Sequence, residues 1–135
     1  MKRFQSTRRS GGNQRGFTLV ELMVVVAIIG ILSSISVPLY ANMQARARVA
    51  KAQADIRGLA SAVSVYTAHM GVLPAALSVL TAVATSPQSI PAGPFMGAIP
   101  APPGTAWGAN YAYVTATSGV FTISAAGDGA TVSAP

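Results

Sequence analysis

The side chains that could carry out chemistry are few in this chain. Three acids, Glu21, Asp55 and Asp128, and one histidine, His69, are spread over 135 residues, and there is no cysteine. General acid–base catalysis needs a titratable group held beside a reacting atom, but no two acids are neighbours in sequence and no acid lies near His69. Nucleophile-elbow, phosphate-loop and paired-histidine metal motifs are absent too. The sequence therefore argues against an enzyme, and we expect His69 to be a partly exposed residue at the end of a helix.

Glu21 is unusual because of its surroundings. It is the one charged residue in an apolar run from Phe17 to Leu39. About 20 such residues suffice to cross the core of a bilayer, and a carboxylate near the bilayer centre costs about 2.5–3.5 kcal/mol. An acid in this position is therefore expected to have a specific partner.

The positive charge of the chain is concentrated before this run. The formal net charge is +6, but five of the nine basic residues precede Phe17: Lys2, Arg3, Arg8, Arg9 and Arg15. From Phe17 onward four basic residues face three acids, a balance of +1, so we do not expect a nucleic acid as the main partner. Only 9% of the residues are charged, against roughly 25% in soluble domains. This composition indicates a chain that sits in lipid or assembles with other chains.

The residues around Glu21 form a motif. A polar, basic leader, residues 1–16, ends in Gly16, and the letters F-T-L-V-E then open the apolar run. This arrangement resembles the N-terminus of the type IV pilin family, which includes the pseudopilins of type II secretion. The resemblance implies that a prepilin peptidase cleaves between Gly16 and Phe17 and that the new amine of Phe17 is N-methylated.

Hydropathy alone also allows an uncleaved signal anchor. In both cases the basic leader holds the N-terminus in the cytoplasm. The chain after Tyr40 then lies outside, which in this family means a single-pass protein of the bacterial inner membrane with a periplasmic domain.

Cleavage would give Glu21 a partner, because it creates an amine at Phe17, four residues upstream. In a low dielectric, leaving either charge unpaired is the costly state. Pairing within one chain and pairing with the amine of a neighbouring subunit both remain open. The resemblance implies the second, which would neutralise an incoming subunit and set its register in a homopolymer. It also implies minor pseudopilins or pilins, an inner-membrane assembly platform with a cytoplasmic ATPase, and the lipid bilayer as partners.

The apolar run continues into an amphipathic helix. Pro38 predicts a kink or local melting, with the end of the membrane helix as the alternative. Beyond it, apolar residues recur at intervals of three and four and predict one buried helical face: Val49, Ala52, Ile56, Leu59, Val63, Tyr66 and Met70. Four charged residues fall off that face and are expected to be solvated or to contact neighbouring subunits: Arg48, Lys51, Asp55 and Arg57. Gly71 favours termination of the helix.

The part of the chain that directly follows Gly71 is predicted to contain little regular structure. Pro74 is expected to begin a short second helix, with an apolar stripe formed by Leu77, Leu80 and Ala84. Six prolines between Thr85 and Ala106 predict a stiff loop without regular structure, suited to a surface that contacts other subunits.

The last part of the chain predicts a small sheet. Asn110–Thr115 and Val120–Ala125 are rich in aromatic and β-branched residues and read as two strands, joined by a hairpin turn at 116–119. A last short strand is expected at 131–133. About 65 residues bury too little surface to be stable alone, so we expect the sheet to pack on the helical face at 49–70.

The whole is an α+β fold. A long N-terminal helix, transmembrane in its first half and amphipathic in its second, packs on a small antiparallel β-sheet, which is the pilin fold that the resemblance implies. We divide the chain into a leader (1–16), a transmembrane and assembly segment (17–39), an amphipathic helical segment (40–71) and a C-terminal globular region (72–135).

Three segments resemble the major pseudopilins of type II secretion in particular: GPFMGAIP (93–100), WGANYAY (107–113) and FTISAAGDG (121–129). They favour a filament subunit that polymerises from the inner membrane to drive protein export. A type IV pilus or DNA-uptake pilin subunit, and a monomeric membrane-anchored binding domain, remain alternatives.

Calcium is the one cofactor that the resemblance raises. Major pseudopilins generally bind it through acidic residues in the C-terminal loop, and calcium takes six to eight oxygen ligands. Asp128 is the one acid after Ile56, so we expect no calcium and no other cofactor.

Overall fold

The computed structural model describes residues 16–116 and 119–135. They belong to two compact units, divided between Tyr40 and Ala41, and one helix, α1 (Leu19–Met70), contributes to both. The predicted leader up to residue 15, and the middle of the predicted turn at 116–119, lie outside the described residues.

The first unit consists of the start of α1. Every residue from Phe17 to Tyr40 is exposed in the single chain. Among the described residues, α1 is the one helix whose length and composition would allow it to cross a membrane. Pro38 lies inside α1, which continues to Met70, so the alternative that the helix ends at Pro38 is wrong. A kink at Pro38 stays a prediction.

In the second unit, α1 buries the face that the spacing predicted. Seven of its residues are buried: Ala52, Ile56, Leu59, Ala62, Val63, Tyr66 and Met70. Val49 packs at the edge of this cluster and is partly buried. Intervals of three and four keep these side chains on one side of a helix with 3.6 residues per turn, which is why the sequence pattern was sufficient here.

The predicted second helix is different in the structure. Instead of a helix that begins at Pro74, a 3-10 helix spans Leu77–Thr81, preceded by Ala76 in an extended conformation. Extended backbone at Ala76 prevents helical hydrogen bonds between Pro74 and the residues that follow. Leu77 and Leu80 are buried, in agreement with the predicted stripe. Pro74 is buried as well, and its carbonyl accepts a 3.0 Å hydrogen bond from the Tyr113 hydroxyl.

The proline-rich stretch was predicted to have no regular structure, and this is partly wrong. Strand β1 (Ala84–Thr85) pairs antiparallel with β2 (Pro91–Ala92), and a second 3-10 helix spans Thr105–Trp107. Proline is compatible with an edge strand of this kind because it lacks only the donor group. The two prolines at 102–103 are buried, so part of this stretch packs against its own domain.

The three remaining strands form an antiparallel sheet in the order β3-β4-β5. Their bounds are Ala112–Thr115, Phe121–Gly127 and Ala130–Ala134. The three predicted strands are confirmed with shifted ends. Strand β4 extends further than predicted because a two-residue turn, Asp128-Gly129, joins it directly to β5.

The core lies between this sheet and the apolar face of α1. Ile123 and Val132 from the sheet, together with Trp107 and Tyr111, belong to one buried cluster with the helix residues. The predicted packing of the sheet on the helix is therefore confirmed, and so is the α+β fold class.

Candidate functional site

The predicted cleavage position lies at an open part of the chain. A side chain added at Gly16 would meet no atom within 4 Å, and Phe17 is 81% exposed. Gly16 and Phe17 both precede the first helical residue, Leu19. In the single chain the peptide bond between them is accessible and is not held in the hydrogen-bond pattern of the helix.

Glu21 closes the first turn of α1 by bonding to Thr18. Its Oε2 accepts hydrogen bonds from the Thr18 amide at 2.9 Å and from the Thr18 hydroxyl at 2.8 Å, and the Glu21 amide donates to Thr18 Oγ1 at 3.2 Å. This reciprocal arrangement is a capping box, which satisfies amides that have no partner within the helix. Thr18 was not predicted to belong to this site, although the T-x-x-E spacing is present in the sequence.

The capping box fixes where the carboxylate lies. It is held over the first turn of the helix, where exposed amides favour negative charge, and it is bonded to the amide of the residue that follows Phe17. Gly16 and Phe17 lie just before the start of α1 and Glu21 lies in its first turn, whereas Pro38 is part of the same helix but lies 17 residues after Glu21.

A second cluster of polar groups, which the sequence analysis did not foresee, joins α1 to the sheet. Arg48 Nε donates to Asp128 Oδ2 at 2.6 Å and Arg48 Nη2 donates to Asp128 Oδ1 at 2.8 Å. The indole Nε1 of Trp107 donates to the same Asp128 Oδ2 at 2.7 Å. A two-pronged pair between a guanidinium and a carboxylate is geometrically specific as well as strong. We call these three residues the Asp128 cluster.

The electrostatics of the cluster favour the charged form of each partner. The hydrogen bond from Arg48, followed by that from Trp107, lowers the pKa of Asp128 from 3.8 to about 2. The same hydrogen bond raises the pKa of Arg48. The pair is therefore ionised at every physiological pH.

The turn that carries Asp128 is locally constrained. Asp128 and Gly129 have φ values of 51° and 74°, and a two-residue hairpin turn with both φ values positive favours this pair of residue types. The preceding Gly127 lies against the Trp107 ring, because a Cβ added there would come within 2.6 Å of its atoms. Nothing in the sequence indicated the contact between Gly127 and Trp107.

A third polar cluster lies one turn further along α1. Lys51 Nζ contacts Asp55 Oδ2 at 2.6 Å and donates to the carbonyl of Ala101 at 2.9 Å. The Tyr111 hydroxyl donates to Asp55 Oδ2 at 2.8 Å. Burial, and after it the hydrogen bond to Asp55, raises the pKa of Tyr111.

These contacts correct one expectation. Arg48 and Asp55 were expected to be solvated or to contact other subunits, and the structure instead joins them to residues of their own domain. Lys51 and Arg57 are exposed as expected, although Lys51 also bonds to Asp55 and to the carbonyl of Ala101. Helical periodicity places a residue on a face, but it does not say which loop folds against that face.

The described part of the chain has little that could hold a cofactor or support catalysis. In residues 16–116 and 119–135, no three histidine or acidic side chains come together. His69 is exposed near the end of α1, with its ring 6.4 Å from that of Phe95. The two polar clusters join segments of the globular unit to one another.

Two models of known protein families match this chain. The family model described as type II secretion system (T2SS), protein G, matches residues 40–133. The prokaryotic N-terminal methylation motif matches residues 11–37. This chain belongs to the protein G family of type II secretion. The resemblance inferred from the sequence is thereby confirmed.

Individual relatives include both a protein G and a type IV pilin. The chain is 36% identical to type II secretion system core protein G of Pectobacterium carotovorum subsp. carotovorum over 109 residues, which covers 76% of this chain and 68% of that one. It is also 46% identical to type IV major pilin protein PilE of Neisseria gonorrhoeae over 61 residues, 45% of this chain and 36% of the pilin. The chain thus spans only about a third of the length of that pilin. No solved structure matches.

Membership of the protein G family gives a context to the helix start. Proteins of the pilin and pseudopilin type are structural subunits, in line with a chain that offers few groups for catalysis. The residues matched by the methylation motif include Gly16, Phe17 and Glu21, which lie at the start of α1 or just before it.

Proposed function

We propose that this protein is the major pseudopilin of a type II secretion system, a structural subunit that polymerises from the inner membrane to drive protein export. The observation that carries the proposal is the family match over residues 40–133, which covers the amphipathic part of α1 and the packed sheet. The subunit is made as a precursor, is cleaved between Gly16 and Phe17, and is N-methylated at Phe17.

The exposed apolar part of α1 supports assembly. Every residue from Phe17 to Tyr40 is exposed in the part of the chain that the structure describes, so lipid holds this segment before assembly and neighbouring helices hold it afterwards. The small residues Gly30, Ser33 and Ser34 allow close approach of helices in such an environment. A kink at Pro38 would let the lower and upper parts of the helix adapt separately to their neighbours.

Glu21 and the amine of Phe17 set the register of assembly in this proposal. The capping box already holds the Glu21 carboxylate beside the backbone of Thr18, next to the position where cleavage creates the amine. A carboxylate and an ammonium in a low dielectric are stabilised when paired and costly when separated. An incoming subunit therefore docks where its amine meets the carboxylate of a neighbour.

The further partners follow from the same scheme. A membrane-embedded prepilin peptidase processes the precursor, an assembly platform with a cytoplasmic ATPase drives growth, and minor pseudopilins complete the filament. The basic leader keeps the N-terminus in the cytoplasm, so that the domain after Tyr40 lies in the periplasm.

The mass of the N-terminal peptide, taken from native membranes, tests the processing step. We expect a chain that begins at Phe17 with one methyl group on its amine. A chain that still begins at Met1, in cells with an active prepilin peptidase, would leave a membrane-anchored domain without the proposed assembly mechanism.

Disulfide crosslinking tests the assembly step, and the absence of native cysteine removes any background. Single cysteines placed at Val24 or Ile35 are expected to give crosslinked dimers in native membranes. Glu21→Gln should abolish them, because glutamine still serves a capping box but carries no charge. Thr18→Ala is the matched control, since it removes the cap and keeps the charge, and should retain crosslinks. Equal crosslinking in Glu21→Gln and the parent would refute the ion-pair mechanism.

A type IV pilus subunit is the second candidate, and the 46% identity to a gonococcal pilin over 61 residues favours it. Deletion of the gene distinguishes the two. Loss of secreted proteins from the medium supports the pseudopilin, whereas loss of surface filaments or of DNA uptake with secretion intact supports the pilin.

A further inference from the structure

The Asp128 cluster bears on the calcium ion that the pseudopilin family generally binds. A calcium site needs six to eight oxygen ligands, usually with several carboxylates. In the globular unit the acids are Asp55 and Asp128, and both are engaged. Asp128 Oδ1 accepts from Arg48, and its Oδ2 accepts from Arg48 and Trp107. The residues of this C-terminal turn do not fit a calcium ion.

We infer that the guanidinium of Arg48 takes the place of a bound metal cation at the β4–β5 turn, so that this protein holds its C-terminal hairpin without calcium. A cation in that position has one structural task, which is to tie a negatively charged turn to the rest of the domain. Arg48 performs it from α1, 80 positions away in sequence from Asp128.

The geometry makes the guanidinium an effective replacement. It binds both carboxylate oxygens of Asp128, and the Asp128 side chain is only 14% exposed. Trp107 adds a third hydrogen bond to the same carboxylate. One carboxylate thus joins three elements: α1, the 3-10 helix Thr105–Trp107 and the β4–β5 turn.

The same geometry excludes a divalent ion. The cleft beside the pair has a volume of about 260 Å³ and is lined by Arg48, Asp128 and residues 103–106. Thr105 supplies its one hydroxyl and there is no second carboxylate. A calcium ion placed there would face the positive charge of Arg48 at short range, and the two like charges would repel each other. Arg48 would have to leave before a metal could bind Asp128.

Thermal unfolding of the full-length protein in detergent micelles tests the inference. Trp107 is the single tryptophan of the chain and is part of the cluster, so its fluorescence reports directly on the turn. We expect the same Tm in millimolar calcium chloride and in excess EDTA. An ion bound at a hundred times its Kd would raise Tm by roughly 10 °C or more, and such a rise, reversed by EDTA, would overturn the inference.

A pair of variants tests the role of Arg48 itself. Arg48→Gln should lower Tm by about 4 °C or more and shift the Trp107 emission, in calcium and in EDTA alike. Arg46→Gln is the matched control, because Arg46 is exposed on the same helix and forms no salt bridge within the described ranges. An unchanged Tm in Arg48→Gln would contradict the inference. If Arg48→Gln does not fold while Arg46→Gln does, the requirement for Arg48 is upheld. The effect of calcium on the Tm of the parent protein then decides whether the turn is held without calcium. Neither measurement depends on filament assembly.

Discussion

The Tyr111 hydroxyl donates a 2.8 Å hydrogen bond to Asp55 Oδ2 across 56 positions of sequence. The same oxygen contacts Lys51 Nζ at 2.6 Å, so a single carboxylate joins α1 to the segment that leads into β3. Tyr111 is also buried in the core. Its ring and its hydroxyl therefore fix the sheet on the helix in two ways, by packing and by a charge-assisted hydrogen bond.

This contact predicts a loss of stability in alkali. The folded state raises the pKa of Tyr111 above the value of about 10 in an unfolded chain. The protonated hydroxyl therefore contributes fully to the free energy of unfolding below about pH 10, and this contribution is lost as the pH rises further. Tyr111→Phe should show a shallower fall in the free energy of unfolding above about pH 10. Tyr40→Phe, which alters an exposed tyrosine, should keep the parent's slope. Denaturant titrations across this range measure the effect, and identical slopes for Tyr111→Phe and the parent would contradict it.

Acid should weaken the Asp128 cluster. The pKa of Asp128 is lowered from 3.8 to about 2 in the folded state, so its stabilising contribution is present above the unfolded value and is lost as pH falls from about 4 towards 2. Asp128→Asn should be less stable at neutral pH and should show a weaker dependence on pH in this window. Fluorescence of Trp107, followed through the same titration, measures the loss. A parent and a variant with the same acid dependence would show that Asp128 is not the group responsible.

Gly127 is predicted to tolerate no side chain. A Cβ at this position would lie 2.6 Å from the ring atoms of Trp107, so Gly127→Ala should cost about 1–3 kcal/mol of stability through overpacking. Gly97→Ala is the control, since a Cβ there would meet nothing within 4 Å. Chemical denaturation of the two variants measures the difference. Equal stability would mean that the Trp107 ring moves aside without cost.

The apolar face of α1 is expected to dominate the core. Leu59 is fully buried, whereas Val65 on the same helix is 56% exposed. Leu59→Ala should cost about 2–5 kcal/mol, and Val65→Ala should stay within roughly 0.5 kcal/mol of the parent. Denaturant unfolding of the monomer in micelles is the appropriate measurement, because Val65 is free to contact other subunits in a filament. A large loss of stability in Val65→Ala would contradict the packing of the sheet on the face of α1 that contains Leu59.

The sequence by itself determined the features that depend on neighbours in the chain. The buried face from Ala52 to Met70 follows from spacing that matches the helical period, and the hairpin of β3 and β4 follows from runs of aromatic and β-branched residues. The processing motif around Gly16 and Glu21 is likewise a pattern of adjacent residues. In each case the physical cause acts over a few positions, so the pattern was sufficient.

Only the tertiary structure decided the contacts between distant segments. Arg48 was predicted to lie off the core face of the helix, and nothing local indicated that its guanidinium would meet the Asp128 carboxylate 80 positions later. The short helix expected from Pro74 begins instead at Leu77, because Ala76 is extended in the folded chain. These outcomes depend on which charged groups and backbone segments the fold places close together. An ion pair between distant positions of the chain produces no periodic pattern in the sequence.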